Sequence, residues 1–272
     1  MNEVEFGRFQ TLLRARSGIW LGKEQRETIA KKLSRRFASI GANTMEAYLA
    51  YLDQPTAEPE WDEVLELATI HETYFFRERG QLDAFVGKAL PEIQSRAKQS
   101  NRNRLSIWSA GCSTGEELYS IAIMLRALEA PGWEYRYFGN DVSRRCVQTA
   151  RKATYSKSSF RYTHEFDRYF EKKGDVRTVV EAVREDCNFS HFNLLDEDRI
   201  RLLGRLDAIF CRNTFIYFDK DTRDRAVKLF WDRLLPGGYL FLGHSESLLL
   251  TEGPFQPVHL GQELAYRKVG GI

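Results

Sequence analysis

Leu105-Ser-Ile-Trp-Ser-Ala-Gly-Cys-Ser-Thr-Gly-Glu-Glu-Leu-Tyr-Ser-Ile-Ala122 is the stretch on which the fold turns. Six mostly apolar residues, Leu105 to Ala110, have the length and composition of a buried strand. They run into Gly111-Cys-Ser-Thr-Gly115, after which Tyr119, Ile121, Ala122, Met124, Leu125 and Leu128 recur at helical spacing as far as Ala130. Strand, glycine turn and helix open a parallel α/β sheet, and such sheets bind ligands beyond the carboxyl ends of their strands. The bare G-x-x-x-G pattern is equally that of an ordinary strand-to-helix turn. Glu116 and Glu117 would repel a phosphate at this helix N-terminus and welcome a cationic group. They would also suit the helix dipole with no ligand at all.

Downstream the same rhythm continues. Arg136 to Asp141 reads as a second strand, Arg144 to Lys152 as a helix, Leu206 to Cys211 as a buried strand and Thr222 to Leu235 as a helix. Pro236-Gly-Gly238 reads as a turn into a strand at Tyr239 to Leu242. Alternation at these lengths predicts a parallel, doubly wound sheet. Tyr155 to Asp186 breaks the rhythm, and its Lys173-Gly-Asp175 turn suits an inserted antiparallel pair. The second strand ends in Asp141, a position that bonds ribose hydroxyls in nucleoside-binding sheets, although Asp there is as often a helix cap. An acidic strand end beside an acidic loop suits a positively charged nucleoside without phosphate, and S-adenosylmethionine has that chemistry.

Upstream lies an all-helical segment. Phe6, Phe9, Leu12 and Leu13 recur at helical spacing within Val4 to Arg16. From about Lys23 to Ile40, Ile29, Ala30, Leu33 and Phe37 share one face while Lys31, Lys32, Arg35 and Arg36 share the other. Thr44 is the expected N-cap of a third helix, and a Pro-punctuated connector at 54–60 precedes a fourth from Trp61 to Ile70.

Composition excludes several classes. The chain has 272 residues, 43% hydrophobic and 29% charged, with net charge +2, so it is expected to bury a real core. No apolar run approaches the roughly 20 residues of a membrane helix, and MNEVEFGRFQ has no signal-peptide pattern, so a cytoplasmic protein is expected. Four cysteines without a C-x-x-C fit a reduced protein with no disulfide framework. No histidine–cysteine spacing suits zinc, and no metal is expected. P-loop and G-x-S-x-G motifs are absent.

The run Ile107 to Ala122 resembles the cofactor loop of the chemotaxis-receptor glutamate methyltransferases, the CheR family. Four further segments agree in order. Thr73-Tyr-Phe-Phe-Arg77 resembles the family's T-x-F-F-R, and Phe192-Asn-Leu-Leu195 its N-L-L element. Phe210-Cys-Arg-Asn-Thr-Phe-Ile-Tyr-Phe218 resembles C-R-N-x-x-I-Y-F, and Leu242-Gly-His-Ser-Glu246 the closing G-x-S-E. The resemblance covers nearly the whole chain. It implies a class I Rossmann-like S-adenosylmethionine methyltransferase domain at 76–272, with a small β-subdomain inserted at about 155–187. A helical receptor-recognition domain would occupy 1–75. It implies an enzyme that methylates glutamate carboxylates of chemoreceptors, forming methyl esters for sensory adaptation and releasing S-adenosylhomocysteine. The partner would be a receptor's cytoplasmic helical bundle, met by a monomer without nucleic acid or membrane insertion.

Residue by residue, the resemblance puts His71, Thr73, Arg77, Glu117, Asp141, Asn193, Leu194, Arg212 and Asn213 against the cofactor. Asp141 would hold the ribose, Asn193 and Leu194 the adenine, and Glu117 the methionine end, with Glu116 an open alternative. Arg77 and Tyr217 would lie nearest the transferred methyl. Arginine orients a carboxylate well and is a poor base, which argues for an already ionised acceptor. Residues 8–36 carry nine Lys/Arg and two Glu, a local +7, and Arg26, Lys32, Arg35 and Arg36 are the substrate-recognition candidates. The same basic face would suit phosphates, so a nucleic-acid methyltransferase is the rival, although none of the seven prolines forms that class's catalytic loop. A binding module that has lost catalysis is the second rival. Departures from the family pattern are His71 for Asn, Leu118 for Pro, and Ala153-Thr-Tyr155 for G-x-Y; no receptor-tail signature is legible in the insertion.

Overall fold

In the computed structural model, which describes residues 1–161, 164–249 and 253–270, the first helix, α1 (Glu3–Ser17), is stopped at both ends by its own sequence. Asn2 accepts the Glu5 N–H at 2.9 Å while the Glu5 carboxylate accepts the Asn2 N–H at 2.7 Å, a reciprocal cap. At the other end Gly18 takes φ 80°, a left-handed stop that favours glycine. Then follow α2 (Arg26–Ser39), α3 (Met45–Leu52) and α4 (Glu58–Ala68). Thr44 caps α3 by accepting the Ala47 N–H at 3.1 Å. These helices bury Phe6, Phe9, Leu13, Ile29, Leu33, Tyr48 and Val64. Each such side chain contributes about 1.5–3 kcal/mol, more than helix propensity summed over a few residues. This unit comprises residues 1–71 and takes in 217–223 from far downstream.

The second unit comprises residues 72–216 and 224–272. It begins with α5 (Arg79–Ala84) and α6 (Leu90–Gln99), joined by one wide π turn at Phe85–Ala89. Then come β1 (Arg104–Ala110), α7 (Glu116–Ala127), β2 (Glu134–Asp141) and α8 (Arg144–Lys152). The insertion holds β3 (Thr154–Ser156), β4 (Phe170–Lys173) and β5 (Val176–Val179), paired antiparallel in the order β3-β5-β4. Gly174 turns β4 into β5 at φ 60°, in the predicted Lys173-Gly-Asp175 turn. After α9 (Glu181–Arg184) come β6 (Cys187–His191), α10 (Glu197–Arg201), β7 (Leu206–Cys211) and α11 (Lys220–Arg233), whose first turn belongs to the helical unit. The chain closes with β8 (Leu234–Leu242), β9 (Phe255–Leu260) and β10 (Glu263–Lys268).

The seven-stranded sheet has the order β6-β2-β1-β7-β8-β10-β9, with β10 antiparallel to both its neighbours. Its core is aromatic: Phe210 and Phe241 stack at 4.6 Å, and Phe85 meets their rings edge-on at 5.1 and 5.6 Å. Pro236-Gly-Gly238 is not the predicted turn before a strand. It lies inside β8, which starts at Leu234 and shifts register against β7 between Leu206 and Ala208. Glycine is needed there: a Cβ at Gly238 would come within 2.9 Å of the Asp207 carbonyl oxygen.

Candidate active site

β1 lies between β2 and β7, so its carboxyl end opens at the middle of the sheet. The turn that follows is sterically exacting. Gly111, Ser113 and Gly115 take φ 77°, 49° and 95°. A Cβ on Gly111 would sit 2.6 Å from the Thr214 hydroxyl, and one on Gly115 2.8 Å from Ala150 Cβ. Close backbone approach, rather than a generic turn, is what the glycines permit here.

The two glutamates of α7 part company. Glu116 is 2% exposed, and its carboxylate accepts from Thr114 Oγ1 at 2.6 Å and Ser159 Oγ at 2.9 Å. Burial pushes its carboxyl above the ordinary range, against the lowering effect of those hydrogen bonds. Glu117 instead accepts from Ser109 Oγ and from Arg212 Nε, both at 2.7 Å. Glu116 therefore ties the loop to the insertion, and Glu117 carries the charge that faces β7.

Arg212 extends that link. Its side chain is 2% exposed, and Nη2 donates to the main-chain oxygen of Arg77 at 2.6 Å while Nη1 reaches Gln81 Oε1 at 3.3 Å. One guanidinium thus joins the β1 loop, the β7 end and the Thr73–Arg77 segment. That segment is fixed by its two phenylalanines. Phe75 is fully buried, stacked on Phe160 at 5.0 Å and edge-on to Phe170 at 4.8 Å. Phe76, at φ 59°, stacks on Phe166 at 4.6 Å, and its N–H donates to Ser120 Oγ at 2.8 Å. The Arg77 side chain donates from Nη1 to the Glu72 carbonyl at 2.7 Å. Thr73 beside it is half-buried.

Asp141, at the end of β2, accepts the N–H groups of Ser113 and Ser143, each at 2.8 Å. Next to it, Asn140 accepts the Trp108 indole N–H at 2.8 Å and donates to the Phe192 carbonyl at 3.0 Å, carrying the alignment across to the β6 end. Asn193 folds its own loop by accepting the Leu195 N–H at 2.8 Å, and Leu194 is buried. Asn213 sits at φ 56° with its N–H donated to Glu246 Oε2 at 2.8 Å.

Six expected residues belong to the helical unit. His71 belongs to the helical unit, with Nε2 2.8 Å from Thr69 Oγ1 and 3.4 Å from the Glu66 carboxylate. Tyr217 belongs there too: its hydroxyl donates to the Ile70 carbonyl at 3.0 Å and accepts the Ile70 N–H at 3.1 Å, so its one proton is already engaged. Arg36 pairs with the buried Glu60 through both carboxylate oxygens at 2.8 and 2.7 Å, and Tyr48 donates to the same carboxylate at 2.7 Å. A carboxylate that is 4% exposed requires such partners, so Arg36 is a fold residue first. Lys32 donates to the Leu67 carbonyl at the end of α4, while Arg35 is exposed and Arg26 half-buried on α2.

Sequence reasoning passed over Gln81, Ser109 and Glu246 as site residues. Glu246 is the most consequential. It is 9% exposed and its carboxylate accepts the N–H groups of Asn213, Gly243 and Ile216 at 2.8, 2.8 and 3.2 Å, clamping the β7 and β8 loops together. A single acid in a G-x-S-E run at a strand end was its signal.

The buried carboxyls set a pH signature. Burial raises Glu116, Glu246 and Asp207 alike. A folded-state value above the unfolded one means the folded state holds the proton longer, so stability falls as pH rises through that interval. Glu116→Gln removes one contributor. Melting curves over about pH 4 to 8 should show the variant gaining on the parent protein as pH rises above the ordinary carboxyl value, and parallel curves would contradict the assignment.

The group set suits a cationic, phosphate-free nucleoside: ordered carboxylates at the start of α7 and the end of β2, close-approach glycines, and an arginine whose charge is already answered by Glu117. The comparisons agree. The CheR methyltransferase SAM binding domain matches residues 71–263, and the CheR methyltransferase all-alpha domain matches residues 4–69. The chain is similar to chemotaxis protein methyltransferase 2 of Vibrio cholerae, 31% identical over 98% of this chain and 96% of that protein. It is also similar to the chemotaxis protein methyltransferases of Klebsiella aerogenes (34% identical, covering 91% and 84%) and Escherichia coli (31%, covering 94% and 88%).

Proposed function

The chain belongs to the CheR methyltransferase family and its cofactor is S-adenosylmethionine, and from that premise we propose that it methylates glutamate side chains of a chemoreceptor's cytoplasmic helices. The observation that carries this reading is the Arg212 link, which ties Glu117 of the cofactor loop to the main chain of Arg77. When bound, the cofactor supplies an electrophilic methyl carbon on a sulfonium centre. Glu117 and Asp141 would hold its cationic and ribose ends, and Asn193 and Leu194 would flank its base.

A glutamate acceptor, with pKa about 4.3, is ionised at neutral pH and needs no general base. What it needs is alignment and exclusion of water. Arg77 supplies the alignment: a planar donor fork suits a carboxylate, and the buried Phe75 and Phe76 immobilise the backbone that carries it. A phenol or amine acceptor would require a base, and arginine is a poor one. On the helical unit, the exposed Arg35 and the half-buried Arg26 are the cations we assign to gripping an acidic helix, with Lys32 and Arg36 partly spent on the fold.

The test is transfer of labelled methyl from S-adenosylmethionine to a receptor cytoplasmic fragment. Label released as methanol by mild base is the expected result. Label that resists base, or that appears on nucleic acid instead, would overturn the reading. No helix among the described residues is long and apolar enough to cross a membrane.

A further inference from the structure

Tyr74 fills the variable position of the Thr73–Arg77 motif, and it gathers a second arginine that the chemistry above does not use. The Arg161 guanidinium carbon lies 4.0 Å from the Tyr74 ring centroid, and that of Arg77 lies 5.8 Å from the same centroid. Glu72 serves both arginines, accepting from Arg161 Nη2 on its carboxylate at 2.8 Å and from Arg77 Nη1 on its main-chain oxygen at 2.7 Å.

The placement of Arg161 is built, not incidental. Two residues before it, the Ser159 carbonyl accepts the Phe75 N–H at 2.9 Å, and one residue before it Phe160 stacks on Phe75. The loop that carries Arg161 is therefore pinned to the motif that carries Arg77. Yet the Arg161 side chain is 48% exposed and that of Glu72 61%, so the pair remains open to a ligand.

Charge decides what that ligand is. Two guanidinium groups beside one aromatic ring repel, and a single carboxylate offsets only one of them. The acceptor carboxylate on Arg77 offsets that excess, and the exposed Arg161, which meets Glu72 through Nη2, presents a donor fork that a second carboxylate can share. When Arg77 turns to an acceptor carboxylate, Arg161 is the remaining cation beside it. On a helix, the side chain nearest to a given one lies three or four positions away, about 5–6 Å between Cβ atoms.

We propose that Arg161, held on Tyr74 beside Arg77, reads a second acidic side chain one helical turn from the glutamate that is methylated. The inference rests on the glutamate reading given above and deepens it into a rule for choosing among glutamates.

Two receptor fragments test it, identical except that the acidic residue one turn from the acceptor is Glu in one and Gln in the other. The enzyme should prefer the acidic neighbour by about fivefold in kcat/KM, the upper range for an exposed ion pair. Arg161→Gln should erase that preference, and Arg161→Glu should invert it in favour of the Gln fragment. Calorimetry with S-adenosylhomocysteine should give the same affinity for the parent protein and both variants. A preference that survives Arg161→Gln, or no preference in the parent protein, would overturn the neighbour rule while base-labile product upheld the glutamate reading. No base-labile product on either fragment would sink both.

Discussion

Arg212→Met is expected to lower unfolding free energy by about 3 kcal/mol and to weaken S-adenosylhomocysteine binding by more than about 100-fold. The size follows from what the side chain compensates. Arg212 is 2% exposed and stands 2.7 Å from Glu117 and 4.0 Å from Glu78, whose Oε2 is buried with no hydrogen-bond partner among the described residues. Methionine fills much of the volume but takes the guanidinium away from both carboxylates. Removing one partner of a buried pair costs about 3–5 kcal/mol, and the low end applies because Glu117 keeps 12% exposure. The binding loss has a second source. Without the bond to the Arg77 carbonyl, Glu117 and the Thr73–Arg77 segment are no longer held in one frame. Urea denaturation and calorimetry check the two effects separately. Adding Glu117→Gln to Arg212→Met should recover part of the stability and none of the binding. Parent-like stability and affinity in Arg212→Met would show that the pair is peripheral.

Much of this was legible in the sequence, and the reasons are specific. The β1 turn could be read because strand composition, glycine spacing and helical periodicity meet within 18 residues. Thr44 could be read as a cap because capping is local, as its bond to Ala47 bears out. β6 escaped notice: Cys187 to His191 is a short edge strand with alternating burial, and neither glycine nor proline lies in the Glu185-Asp186 turn that separates it from α9. Pro236-Gly-Gly238 misled because the residues that usually end strands also permit bulges within them. The parting of Glu116 from Glu117 is a matter of 100° around one helix, and two of the partners that decide which faces where, Ser159 and Arg212, lie far along the chain. Arg36 likewise looked like surface because its partner, Glu60, lies on another helix. Periodicity reports which face is polar and is silent on whether a polar group on that face is answered from within.

Arg77→Ala is expected to lower kcat by about 100-fold while changing cofactor affinity less than about threefold. The separation comes from two different parts of one residue. The main-chain oxygen of Arg77 takes the Arg212 bond, and the buried rings of Phe75 and Phe76 hold that backbone whatever the side chain is. The guanidinium lies outside this network, bonded to the Glu72 carbonyl. Truncation should therefore spare the frame that supports the cofactor and remove the fork that aligns the acceptor. A misalignment of about 1 Å is enough to cost about 100-fold in an in-line transfer. Arg77→Lys separates charge from geometry: an ammonium restores the positive charge but cannot engage both carboxylate oxygens in a plane, so it should recover only a small part of the rate. Single-turnover transfer from pre-bound cofactor reads the chemical step directly. If Arg77→Lys matched the parent rate, the residue would act as a charge alone, and if affinity fell in step with kcat, its side chain would belong to the cofactor site rather than to the acceptor.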